Sequence, residues 1–275
     1  MILSAALAAA LSSTPLIVRG HRLFVPARIN GVTTEAVLDS AAEASFVDDG
    51  FAVRIGAGPG KPVTARGSGG EAKAELIEGA RIEAAGLTLD GLTIGVTDLD
   101  DVGARLFGRP LDAIVGRELF DRARLGIDIA GGRLTVLPRE KRPRGKRLTL
   151  SSWHGIETLP VSIEGGAPVQ AEFDLGNGSD VTVSKAFAEK AGLLAPGRVV
   201  AHEHGGGIGG KVHRPVVVLK TLKLAGVTFR DVRATVDAQP NAAAANIGVK
   251  LLRRFAIVTD FAQKSVWLQP LGTGR

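Results

Sequence analysis

The chain carries the same succession of segments twice, and an internal duplication constrains architecture more tightly than any local motif. FVPARINGVTTEAVLDSA at 24–41 has the form of a hairpin: an alternating strand, Asn30-Gly31 for the left-handed turn, and a second strand ending in Asp39. TLPVSIEGGAPVQAEFDLG at 158–176 repeats it, with Pro160 for Pro26, Ile163 for Ile29, Gly165-Gly166 for the turn and Asp174 at the strand end. VDDGFAVRIG at 47–56 then predicts a short helix capped by Asp48 and stopped at Gly56, and VSKAFAEKAG at 183–192 predicts its counterpart between Ser184 and Gly192. Each half continues into a Gly-rich loop, ARGSGGEAK at 65–73 and HGGGIGGKV at 204–212, followed by alternating apolar segments around Gly86 and Gly226 that read as strands and turns. The closing segments 113–138 and 245–270 match most closely, pairing Gly116 with Gly248, Leu119 with Leu251, Arg122 with Arg254, Asp128 with Asp260 and Pro138 with Pro270.

A chain of 275 residues, 45% of them hydrophobic, buries a substantial core, which excludes disorder as the main state. Its 36 Gly and 13 Pro, with no Tyr and only 4% aromatic residues, suit a turn-rich β protein. The absence of Cys excludes thiol catalysis and Cys-ligated zinc. The net charge of +6 is spread along the chain with one concentration, REKRPRGKR at 139–147. That run holds Pro143 and Gly145 and no aromatic residue to stack on bases, so it predicts a solvated linker and no nucleic-acid partner. The expected organisation is an N-terminal apolar segment at 1–20, a first lobe at 21–138, a basic linker at 139–154 and a second lobe at 155–270. MILSAALAAALSSTP resembles the apolar region and cleavage zone of a secretory signal and is too short to span a bilayer. The expectation is export to the periplasm, with the cytoplasm as the alternative, and no stable membrane insertion.

A hydrophobic strand ending in Asp, then a small residue and Gly, and later a hydrophobic-hydrophobic-Gly segment before a short helix, resembles the aspartic peptidases of the pepsin and retropepsin kind. The closer likeness is to bacterial two-lobed aspartyl-protease-like proteins, and it runs from residue 21 to 270. The resemblance implies an all-β fold of two homologous pepsin/retropepsin-like β-barrel lobes with short helices, their active cleft at the lobe interface. It implies a catalytic dyad of Asp39 and Asp174, supported by Ile114-Val115-Gly116 and Asn246-Ile247-Gly248. Gly67-Ser68-Gly69 and Gly207-Ile208-Gly209 take the place of flaps over a peptide or unfolded polypeptide substrate. The activity implied is that of an aspartic-type endopeptidase with no cofactor and no metal, monomeric because both lobes lie in one chain. Two carboxylates at ~3 Å cannot both ionise, so they share a proton; one then deprotonates water while the other hydrogen-bonds the scissile carbonyl.

The family triplet is Asp-Thr/Ser-Gly in both halves, whereas here it is Asp39-Ser40-Ala41 and Asp174-Leu175-Gly176. The middle hydroxyl ties the two loops together across the interface; Ser40 retains it and Leu175 does not. Gly176 retains the freedom for close backbone approach that Ala41 narrows. Asn177 stands next to Gly176 as a candidate second partner for Asp174. These departures motivate the alternative of a catalytically degenerate scaffold that grips extended peptide by strand addition.

Other groupings read more simply as structure. His202, His204 and His213 form an H-x-H pair plus a third imidazole, read as a polar flap rather than a metal site. Gly205, Gly207 and Gly210 have dinucleotide-loop spacing without the strand-to-helix setting. Asp98, Asp100 and Asp101 lack the Gly and Glu of a calcium loop and read as an exposed turn. Asp128 and Asp260 read as turn or strand-end residues, and no G-x-S-x-G elbow supports serine hydrolase chemistry.

Overall fold

The computed structural model describes residues 13–272. Residues 1–12, most of the segment read as a secretory signal, lie outside them; Ser13–Pro15 and Ile17–Arg19 are short strands. The expected duplication is realised strand for strand. In the first lobe an eight-stranded sheet runs in the order Ile17–Arg19, Arg22–Ile29, Val32–Leu38, Ala113–Val115, Phe46–Val47, Leu87–Val96, Gly70–Ala84, Lys61–Gly67. In the second the order is Ser151–Trp153, Ile156–Ile163, Val169–Phe173, Ala245–Ile247, Val181–Ser184, Val227–Asp237, Val212–Leu224, Val199–Gly205. In each lobe the strand that delivers the Asp pairs in parallel with the short strand of the closing segment: Leu38 opposite Val115, Phe173 opposite Ile247.

Local chemistry explains the elements. Asn30 and Gly31, at φ of +45° and +86°, make the predicted turn of the first hairpin. In the second hairpin the left-handed pair is Glu164-Gly165, one residue earlier than the predicted Gly165-Gly166. Asp48 accepts from the backbone N–H groups of Gly50 and Phe51 to start the helix Asp49–Arg54, and Ser184 accepts from Phe187 to start Lys185–Lys190. Gly56 and Gly192, at φ near +67° and +66°, end these helical turns. One element is specific to the first lobe: the helix Asp100–Phe107, whose counterpart at 238–244 is not helical. The acidic cluster read as an exposed turn is therefore the start of a helix, with Asp98 accepting from the N–H of Asp100.

A third, six-stranded sheet joins the lobes. The closing hairpins Arg124–Asp128/Arg133–Leu137 and Phe255–Asp260/Ser265–Pro270 meet antiparallel at its centre, with Gly126 opposite Val258. Those two residues are equivalent in the duplication, so the pseudo-two-fold axis passes through that pair. Ser13–Pro15 and Lys146–Thr149 form the edges, so the stretch expected as a bare basic linker contributes strands to the interlobe sheet and to the second lobe. One apolar core runs through both lobes; Phe120 of the first stacks on Phe261 of the second at 5.1 Å between ring centroids. Beside it, Arg124 and Asp260, both buried, pair at 3.1 Å, and Arg139 also bonds Asp260. This interlobe strut is the role of Asp260, while Asp128 accepts from Gly131 N–H in its own turn.

Candidate active site at the lobe interface

Each Asp loop is held by its own lobe in the same way. Asp39 N–H donates to the Val115 carbonyl at 3.0 Å and Asp174 N–H to the Ile247 carbonyl at 3.1 Å. Gly116 and Gly248 lie against the loops that follow: a Cβ on Gly116 would meet the Ala44 carbonyl oxygen at 2.6 Å, and one on Gly248 the Asn177 carbonyl oxygen at 2.7 Å. The closing segments can bear on the loops only because those positions carry no side chain.

The loops meet at the interface. The buried Ser40 hydroxyl donates to the Phe173 carbonyl at 2.7 Å and accepts from Leu175 N–H at 2.9 Å, so one hydroxyl holds the opposite loop on both sides of Asp174. Leu175 returns no such bond; its side chain is fully buried in the main core. The grip is one-sided, with a polar half from the first lobe and an apolar half from the second. The carboxyl of Asp39 rests on Gly176 so closely that a Cβ there would lie no farther than 2.7 Å from either carboxyl oxygen. This glycine is required for approach rather than for backbone conformation, since its φ is not in the left-handed region.

The two carboxyls are held differently. Asp39 Oδ1 accepts from Ala41 N–H at 2.9 Å. Asp174 Oδ1 accepts from Gly176 N–H at 2.8 Å and Asn177 N–H at 2.9 Å, and its Oδ2 accepts from Asn246 Nδ2 at 2.6 Å. Burial and then the charge of Asp174 push Asp39 up to about 7, against the backbone donors and Arg22. Asp174 is also raised by burial, opposed first by the Asn246 hydrogen bond. Arg22 is the cation of this site, donating through Nε to the Gly176 carbonyl at 3.1 Å and through Nη1 to the Gly20 carbonyl at 3.2 Å.

Asn177 reaches Asp174 through its backbone, not its side chain. Its Nδ2 donates to Asn246 Oδ1 at 2.7 Å, and that bond orients the Asn246 amide so that its Nδ2 faces both Asp174 and Glu172. Glu172 and Arg22 were not singled out by motif, and Asn246 was named only as part of the segment Asn246-Ile247-Gly248, without a bond to Asp174. The signal was present in the alignment of the halves, where Asn246 replaces Ile114 and Glu172 replaces Val37.

Both Gly-rich loops form hairpin tips, and the tips touch. Gly69 N–H donates to the Ile208 carbonyl at 3.0 Å, and a Cβ on Gly67 would lie 2.5 Å from that oxygen. Ser68 accepts through its carbonyl from Arg214 Nη2 at 2.8 Å, and Ser68 Oγ lies 3.1 Å from where a Cβ on Gly207 would be. Arg105, on the helix of the first lobe, donates to the carbonyls of Gly206 and Gly207 at 2.7 and 3.2 Å. The Gly-rich tip Gly206–Gly210 thus serves backbone contact, with Gly206, Gly209 and Gly210 at positive φ. On the same hairpin His202 stacks on His213 at 5.0 Å, and among the described residues no cluster of His, Cys, Asp or Glu is placed to hold a metal ion. No helix among them is long and apolar enough to cross a membrane.

No curated protein matches the chain. The family described as aspartyl protease matches it twice, over residues 25–119 and 159–249, each match spanning one Asp loop, one flap and the start of one closing segment. Together the two matches cover more than half of the chain, which therefore belongs to the aspartyl protease family.

Proposed function

We propose that the protein is an aspartic-type endopeptidase that hydrolyses peptide bonds with a water activated between Asp39 and Asp174. The observation that carries this reading is the meeting of the two loops through Ser40, which brings one carboxyl from each lobe to the interface under joined flaps. Asp174, with three hydrogen-bond donors, is the member better stabilised as an anion and acts as the base. Asp39, raised to about 7, retains the shared proton and donates it to the carbonyl oxygen as water adds. As the C–N bond breaks the base passes its acquired proton to the leaving amine, one hydroxyl of the gem-diol returns a proton to Asp39, and no covalent intermediate forms. Activity falls as pH rises through about 7, where the proton on Asp39 is lost. We place the activity in the periplasm, on the secretory-signal pattern of residues 1–15.

The test is incubation of the purified chain with an unstructured polypeptide across roughly pH 3 to 8. Cleavage that disappears in both Asp39→Asn and Asp174→Asn is the expected result. No cleavage at any pH, or cleavage indifferent to these substitutions, overturns the reading.

A second reading, a peptide-gripping scaffold without hydrolysis, is favoured by the buried Leu175, which leaves the loop grip one-sided. A peptide bound and recovered uncut, with binding unaffected by Asp174→Asn, selects it.

A further inference from the structure

Sheet register matches the two halves of the cleft residue by residue. In the first lobe Val37 lies opposite Ile114, and Ile114 opposite Phe46. In the second lobe the same row is Glu172, Asn246 and Thr182. Related positions therefore carry opposite chemistry.

The apolar row is already filled. Val37 and Ile114 are 4% and 7% exposed, within a cluster that the helix Asp100–Phe107 covers with Val102, Leu106 and Phe107 and that Ile208 of the opposite flap packs against. The polar row lacks that helix, since its counterpart segment forms none; Thr182 is buried, while Glu172 and Asn246 stay half-buried. Thr182 and Thr235 continue it, their hydroxyls 3.0 Å apart. Substrate selection thus falls to the second lobe.

Charge decides what that half accepts. Glu172 Oε2 accepts from Asn246 Nδ2 at 2.8 Å, but among the described residues Glu172 joins no ion pair. Asp237 is neutralised by Arg214 at 2.9 Å. The dyad, singly charged when it shares a proton, has Arg22, whose charge acts on both its members. Glu172 is the carboxyl left without a cation. Burial pushes it up to about 7, and the charges of Asp174 and Asp237 add to that. Such a group is stabilised by a cation brought to it.

We infer that Glu172 is a specificity-determining residue that takes a Lys or Arg side chain of the substrate in the open, second-lobe half of the cleft. The inference rests on the peptidase reading for the event that follows binding, not for the binding itself. The filled first-lobe row excludes a large residue from the related position.

The test uses the full chain and paired peptides differing only by Lys or Gln at each position flanking the cut, assayed at about pH 7, where a large fraction of Glu172 is ionised while the dyad still holds its proton in a comparable fraction of molecules. The wild type is expected to favour one Lys peptide by about tenfold in kcat/KM, and Glu172→Gln, which keeps an acceptor for Asn246, to bring that ratio near one. A wild-type ratio near one at every position, or an unchanged ratio in Glu172→Gln, overturns the inference. If that variant does not fold, acetylation of the peptide lysine removes the same charge from the substrate side, and an undiminished rate counts against the proposal. Fluorescence anisotropy with the same peptides separates the two readings. Preferential binding without cleavage sinks the peptidase and keeps Glu172; cleavage without preference does the reverse.

Discussion

Gly176→Ala tests the site geometry most directly. A Cβ at 176 would lie no farther than 2.7 Å from either oxygen of Asp39, whereas ordinary contact begins near 3.4 Å. Asp39 is short, and Ala41 N–H and the Val115 carbonyl hold its loop, so the carboxyl must move by about 1 Å from its place in the dyad. Displacement on that scale costs on the order of a hundredfold in kcat, with about 1–3 kcal/mol of stability lost to overpacking. Steady-state kinetics on a cleaved peptide reads the first effect and urea denaturation the second. A third measurement needs no turnover: carbon-detected NMR of labelled Asp side chains should show Asp39 titrating away from about 7 once its burial and its distance from Asp174 change. Gly58→Ala is the control, because nothing lies within 4 Å of its Cβ position. A Gly176→Ala protein within about threefold of wild-type kcat, with Asp39 still titrating near 7, would falsify the argument that Gly176 sets the carboxyl position.

Ser40→Ala removes a buried hydroxyl and leaves the Phe173 carbonyl and Leu175 N–H without partners, at a cost on the order of 2–4 kcal/mol; an unchanged urea midpoint would refute the tie. Asp39→Asn should change the pH dependence of stability. The folded-state pKa lies above the unfolded value, so the native state binds the extra proton and the stability tied to it is lost as pH rises from about 4 to about 7. The Asn variant should not show that loss and should gain on the wild type by on the order of 2 kcal/mol between pH 4 and 8; parallel curves would count against a shifted Asp39. Arg124→Met leaves the buried Asp260 with Arg139 alone and should cost on the order of 3 kcal/mol, measured by denaturation; a neutral result would mean the interlobe strut is dispensable.

The elements with local causes were legible in the chain. The hairpin turn at Asn30-Gly31 and the helix starts at Asp48 and Ser184 rest on residues a few positions apart. The turn at Glu164-Gly165 was misplaced by one residue because Gly165-Gly166 offers two glycines and only tertiary packing chooses between registers. The helix Asp100–Phe107 was missed because Gly103 weakens its intrinsic propensity; the lobe supplies what the segment lacks, by seating that glycine against the backbone of Arg109 and Leu111.

By itself, the sequence determined that there are two like lobes, that each ends a strand in Asp, and that Ser40 and Leu175 break the symmetry of the motif. Those conclusions need only periodicity, turn chemistry and repetition. Only the tertiary structure decided how the broken symmetry is met: Ser40 makes both interlobe bonds, Leu175 joins the core, and Gly176 receives the Asp39 carboxyl. It also decided that Asn246 joins Asp174 to Glu172, and that the flap tips meet through Gly69 and Ile208. The reason is distance along the chain. Ser40 and Leu175 are 135 residues apart, and nothing local to either states what the other will present across the interface until the two sheets have closed on a shared core.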